Sequence, residues 1–266
     1  MAKTVKLSGY TVIRNARDLD YCVVECIQSM LPVCDEVLVC DSESTDGTFE
    51  MLTTWAKVER KLRVISRAWP NPKGDPQFFI NWLNDTRQQV KHQMCLELDA
   101  DEILHESSYP EIRASADRQE CRSFHRLNFW GDAQHTCPPG VVCSDSVARL
   151  GPSDLWQPSD APCEHEWQAE IVKQAYPGPS LVIGHYGFLR RREAFFAKSK
   201  VMHGGYFNTY DPRLAAAEQT GKPWHIDGFE FNDKLIPFTG THPRVALGWL
   251  KERGYSHELH AHAQAQ

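Results

Sequence analysis

"DEVLVCDSESTDGTFEML", residues 35–52, decides the fold class. Its first seven residues hold a buried apolar run that ends at Asp41. A loop of Ser, Thr, Asp and Gly follows, and apolar residues at helical spacing begin at about Thr48. Strand, turn chemistry and helix in that order make half of a strand–helix–strand unit. The pattern extends both ways. Upstream, 6–14 is β-rich and 20–31 carries apolar residues at helical spacing. Downstream, 48–58 reads as a helix, 62–66 as a strand, 76–93 as a helix with Pro76 in its first turn, and 94–99 as the next strand. This alternation predicts an α/β fold with a mostly parallel central sheet and flanking helices. Such sheets bind ligands at the carboxyl ends of their strands, where Asp41 and Asp99 fall.

The second half is less regular. Residues 121–131 and 144–150 read as strands, 151–164 as a loop, and 181–187 as a strand leading into a basic helix, 190–203. Gly, Pro and aromatics dominate from 204 on, and 256–266 reads as a flexible tail. With no repeat and no linker, residues 1–255 are expected to form a single domain. The net charge of −6 gives no general attraction to nucleic acid or anionic membrane, so a bound anion needs a local site or a metal. Nine cysteines, several inside apolar runs and none in a C-x-x-C pair, suggest reduced, buried thiols in a cytoplasmic protein. No apolar run reaches membrane-spanning length.

"LDADE", 98–102, places three acids at a strand end. Acids favour a helix N-terminus, which would account for one or two of them. A pair at i and i+2 in extended backbone projects to one side, and two close carboxylates repel unless a cation lies between them. Asp99 and Asp101 are therefore expected to hold Mn²⁺ or Mg²⁺ together with phosphate oxygens. In the 39–52 loop, Asp46 and Thr48 read as helix caps. Asp41, at the crevice, can accept from a nucleobase N–H or a ribose hydroxyl.

The stretch 11–52, then "LND" (83–85) fifteen residues before "LDADE", resembles the family-2 glycosyltransferases of the GT-A fold over residues 5–105. Downstream, "RL" (149–150), "HE" (165–166), "GHYG" (184–187) and Lys198 fall where bacterial relatives carry similar pieces. The resemblance implies a metal-dependent, inverting transfer of a sugar from a nucleoside-diphosphate sugar to a hydroxyl acceptor, saccharide or modified nucleic acid. Residues 1–105 would form the nucleotide-sugar half and 106–255 the acceptor half. Asp41, Asn15 and Asn84 would contact the donor, and Lys198 its diphosphate. Asp99, Asp101 and His185 would ligate the metal, and Glu166 would be the catalytic base. Many relatives have Asn-Glu where this chain has Asn15-Ala16, so one donor-side acid is missing.

Taken alone, His185 in an apolar strand reads as a core histidine, and Arg190, Arg191 and Arg192 as a solvated helix face. Trp130 in "NFWGD" is the candidate acceptor platform, and Asp160, Glu164 and Glu170 are alternatives to Glu166 as base. Rival readings are a non-catalytic nucleotide-sugar-binding module and a DNA-modifying glycosyltransferase. A sugar-nucleotide pyrophosphorylase would need a Gly-rich loop where "VIRNARDLD" stands.

Overall fold

The structure is a computed structural model. It describes residues 4–69, 78–140, 146–154, 176–202, 215, 218–219 and 234–255. Four parallel strands form one side of the sheet: β1 (Leu7–Ile13), β2 (Glu36–Asp41), β3 (Leu62–Ser66) and β4 (Met94–Glu97). Helices α1 (Val23–Met30), α2 (Thr48–Ala56) and α3 (Phe78–Arg87) connect them. The expected α/β alternation is present. All seven residues of β1 are buried, as befits a central strand covered on both faces. On α1, Val23, Cys26, Ile27 and Met30 recur at helical spacing and pack against Leu7, Val37 and Val39. Each such side chain contributes about 1.5–3 kcal/mol on burial.

The expected helix at 76–93 ends at Arg87. The N–H groups of 88–90 still bond back to the helix end, but Lys91 N donates to Glu36 Oε2 (2.8 Å) and His92 N to Ser8 Oγ (3.3 Å), which turns the chain into β4. At α2 the cap position is Gly47, at φ 85°, with Asp46 Oδ1 accepting from Thr48 N at 3.0 Å. A Cβ at Gly47 would meet Arg17 Nη1 at 2.6 Å as well as straining that left-handed backbone.

Beyond β4 come β5 (Glu102–Leu104), α4 (Tyr109–Asp117), β6 (Arg122–Asn128), β7 (His135–Thr136), β8 (Ser146–Pro152), β9 (Tyr176–His185), α5 (Arg192–Met202), β10 (Ile236–Pro237) and α6 (Ala246–Glu252). The eight-stranded sheet runs β3-β2-β1-β4-β8-β6-β9-β5. Strand β8 runs antiparallel to β4 and β6, and β5 antiparallel to β9. The chain leaves β4, makes the "DADE" turn, and lands at the far edge, where Glu102 pairs with His185. That jump brings the acids and His185 together. The seven cysteines among the described residues are free, and all but Cys121 are buried. Among the described residues no helix is long and apolar enough to cross a membrane.

Candidate active site

Asp99 and Asp101 do not project together. Glu102 N donates to Asp99 O (2.9 Å), so the acids occupy a tight turn rather than extended backbone, and their carboxylates part. Three basic side chains of the protein itself pair with the two aspartates, and a fourth joins Glu102. Arg149 Nη2 binds Asp99 Oδ2 at 2.9 Å and Glu102 Oε1 at 2.8 Å, while its Nη1 binds Glu97 Oε2. Arg126 adds a second pairing to Glu102, at 3.2 Å. Asp101 Oδ2 accepts from Arg190 Nη2 (2.5 Å) and from Lys198 Nζ (2.8 Å). Burial alone would raise the Asp101 carboxyl, but Lys198 and Arg190 hold it well below the usual range.

The two cations on Asp101 are anchored differently. Arg190 is fully buried and also donates to Gly187 O (2.8 Å) and Leu19 O (2.7 Å). Lys198 is 21% exposed, with Asp101 as its hydrogen-bond partner and the Tyr21 ring 4.9 Å from its ammonium. Both cations lean on Tyr21, since the Arg190 guanidinium sits 4.2 Å from the same ring.

On its other side Asp101 faces His185, with Oδ1 3.7 Å from Nε2. The ring's Nδ1 lies 3.0 Å from Asn128 Oδ1, an oxygen that can only accept. The proton therefore sits on Nδ1, and Nε2 presents its lone pair to the carboxylate. Burial pushes the His185 imidazole down to about 3, so it is neutral. Two acceptors face one another across a gap too long for a hydrogen bond and short enough for one cation to touch both. Gly187 borders that gap: a Cβ there would lie 2.6 Å from His185 Nε2 and 2.8 Å from Asp101 Oδ2. These residues fit a divalent cation with two protein donors. Among the described residues no group of three or more His, Cys, Asp and Glu is arranged for a metal, so oxygens of a ligand would have to complete the shell.

The nucleoside-side candidates lie at β2 and α3. Asp41 is fully buried; Oδ1 accepts from Ser44 N (2.9 Å), and Oδ2 has no partner. Asn84, mid-helix in α3, is buried with Nδ2 likewise unpaired. An unpaired buried acceptor and donor each cost about 1–3 kcal/mol, which a ligand could recover. Alternation along β2 puts Asp41 on the face opposite Cys40, whereas Trp82 and Leu83 of α3 pack on the Cys40 side. Asn15, at φ 52°, uses Oδ1 to hold Thr45 N (2.8 Å) and takes Ser44 Oγ on its own N–H (2.8 Å). It braces the 42–47 loop. Nearby, Arg14 lies over Trp69 at 4.7 Å.

Trp130 is 2% exposed, with its ring 4.8 Å from Phe188, so it is core and not an exposed platform. Glu166, Asp160, Glu164 and Glu170 lie outside the described residues. Arg149, noted in the sequence only as part of "RL", and Arg190, read there as a solvated helix face, both carry buried charge at the site. The usable signal for Arg149 was a lone arginine inside an apolar strand. A further pair emerges only in the fold: His135 Nδ1 lies 2.8 Å from Asp132 Oδ2, half-buried, on a turn rooted beside His185 through Phe129 N and His185 O (3.2 Å).

The α/β sheet thus brings a carboxylate, an imidazole and two cations together at its strand ends. No protein-family model matches the chain. Over 96 residues, 35% of this chain, it is 30% identical to the lipopolysaccharide core biosynthesis glycosyltransferase LpsC of Rhizobium meliloti (strain 1021), covering 33% of that protein. The chain thus spans about a third of the length of that curated relative, and it is glycosyltransferase-like over the matched segment. Among solved structures it is similar to S. aureus TarS (TM-score 0.46, 12% identity, 80% of this chain and 42% of that one). It is also similar to GalNAc-T7 with UDP, GalNAc and Mn²⁺ (TM-score 0.45, 10% identity, 83% of this chain and 53% of that one).

Proposed function

We propose that the protein is a metal-dependent, inverting family-2 glycosyltransferase of the DxD type. It would move a hexosyl group from a nucleoside-diphosphate sugar to a saccharide hydroxyl. The observation that carries this reading is the His185 Nε2–Asp101 Oδ1 pair over Gly187, flanked by Lys198 and Arg190. The matched segment of a lipopolysaccharide core glycosyltransferase supports it. Asp101 and His185 would hold Mn²⁺ or Mg²⁺, which when bound stabilises charge on the leaving diphosphate. Arg190, held by Gly187 O and Leu19 O, adds fixed positive charge at the same place, and Lys198 adds a second positive charge beside it. Asp41 Oδ2 accepts from the base or ribose, and Asn84 donates. Asp99 is held by Arg149 at the rim of the metal site. Glu166 remains the proposed base for the acceptor hydroxyl, on the face away from the leaving group.

The test is a thermal-shift panel of UDP, GDP, dTDP and CMP sugars with Mn²⁺ and again after EDTA. A donor at 100 times its dissociation constant stabilises by about 2.7 kcal/mol. One nucleotide should stand out, its shift should vanish with EDTA, and slow metal-dependent hydrolysis of that sugar should accompany it. Binding without turnover would point to a non-catalytic module. No shift with any nucleotide would remove the reading.

Asp41→Ala gives a second check. It should weaken nucleotide binding by roughly 1.5–3 kcal/mol, the range for a hydrogen bond to a charged group. Unchanged affinity by calorimetry would leave Asp41 as a residue that only anchors Ser44.

A further inference from the structure

We propose that Lys198 couples metal binding to nucleotide binding: it closes the Asp101 site against a lone divalent cation until a diphosphate draws its ammonium away. The inference rests on the metal–diphosphate reading above and adds to it a residue that sets the order of assembly.

Three observations carry it. First, Asp101 already has its charge compensated, by Arg190 at 2.5 Å and Lys198 at 2.8 Å, both on Oδ2. A divalent cation arriving at Oδ1 and His185 Nε2 would sit beside two positive charges within one carboxylate's width, in a site where Asp101 and Arg190 are buried and screening is weak. Second, the arriving diphosphate carries the opposite sign. Cation and diphosphate together restore the balance that either alone would upset. Third, only one of the two resident cations is free to respond. Arg190 is fixed by Gly187 O and Leu19 O as well as by Asp101. Among the described residues Lys198 has a single hydrogen bond, to Asp101, and its side chain is partly exposed. Its ammonium can swing from carboxylate to phosphate oxygen and exchange one charge-assisted hydrogen bond for another.

Coupling of this kind is reciprocal, so the diphosphate tightens the metal by the same factor as the metal tightens the diphosphate. Lys198→Met keeps the length of the stem and removes the charge, leaving Arg190 on Asp101. Lys198→Arg keeps the charge and serves as the conservative control.

The experiment titrates Mn²⁺ into the full chain, reading free Mn²⁺ by electron paramagnetic resonance, with no nucleotide and with saturating UDP, or with the diphosphate of whichever nucleotide the panel above selects. In wild type, UDP should tighten Mn²⁺ by a factor of about 10². In Lys198→Met, Mn²⁺ alone should bind several-fold more tightly than in wild type, and the UDP factor should fall about tenfold or more. Lys198→Arg should keep the wild-type factor. A merely structural lysine would weaken both titrations, so the gain in metal-only affinity is the diagnostic sign. If Mn²⁺ alone binds Lys198→Met no more tightly than wild type, or if the UDP factor is unchanged, the coupling role is overturned while the donor reading stands. If wild type takes no Mn²⁺ with UDP or with any other nucleotide of the panel, both fall.

Discussion

Arg149→Met is expected to cost the fold about 3–5 kcal/mol, the range for removing one partner of a buried charge cluster. Arg149 is fully buried and its guanidinium reaches Glu97, Asp99 and Glu102. Burial pushes the Glu97 and Glu102 carboxyls up, Arg149 opposes that, and Asp99 adds repulsion. Without the arginine, the folded chain would take protons at these glutamates more readily than the unfolded chain does. Stability of the variant therefore rises as pH falls, and the loss is greatest at alkaline pH. Urea unfolding at about pH 8 and about pH 5.5 should show a clearly larger deficit at the higher value. A deficit under about 1 kcal/mol, or one equal at both values, would mean the network does not carry the charge balance assigned to it.

Gly187→Ala is expected to weaken Mn²⁺-dependent nucleotide binding by about 10²-fold, the upper range for disturbing groups that orient metal ligands. Gly187 is not among the residues with positive φ, so alanine brings no backbone strain there. What it brings is a methyl carbon 2.6 Å from His185 Nε2 and 2.8 Å from Asp101 Oδ2. Both positions are too close, so the imidazole or the carboxylate must move. Metal-free stability should change far less than nucleotide affinity does. Calorimetry of UDP with Mn²⁺ decides: wild-type affinity in this variant would show that the space over His185 is not where the cation sits.

The first hundred residues were readable because each element there reports its own burial. The strands are short apolar runs, α1 is a stripe, and turn residues stand between them. What fails is anything set by distant pairing. Strand β5 has three residues wedged between acids and His105, and nothing local says that it crosses to the outer edge beside β9. Residues 109–117 show no signal strong enough to have been read, yet they form α4, with Ile112 and Ala116 buried. The acid pair was legible as a site, but its stereochemistry was not. An extended reading points Asp99 and Asp101 the same way, whereas the turn sends one to Arg149 and the other to Arg190 and Lys198. Grouping Asp101, His185 and Lys198 from motif positions matched their closeness in space, and their roles stand as proposals. The pairing of Arg149 escaped, although "RL" stood out, because a buried arginine looks like any polar strand position until its partners on other strands are known. One practical result is that Asp101→Asn is a poor probe, since it would also take away the carboxylate that Arg190 and Lys198 share.

The strand order also bears on how the chain is made. Strand β4 gains its second neighbour only when β8 appears, about 55 residues later, and β5 waits longer still for β9. At roughly 5–20 residues per second of synthesis, β4 stays one-sided for some seconds on a nascent chain. Its outer edge in that interval is "MCLE", with Met94, Cys95 and Leu96 bound for full burial. An apolar strand with an open ladder is the template on which chains pair wrongly. Recombinant yield of this protein should therefore respond more to slowed translation and to chaperones that shield nascent strands than to changes in the finished core.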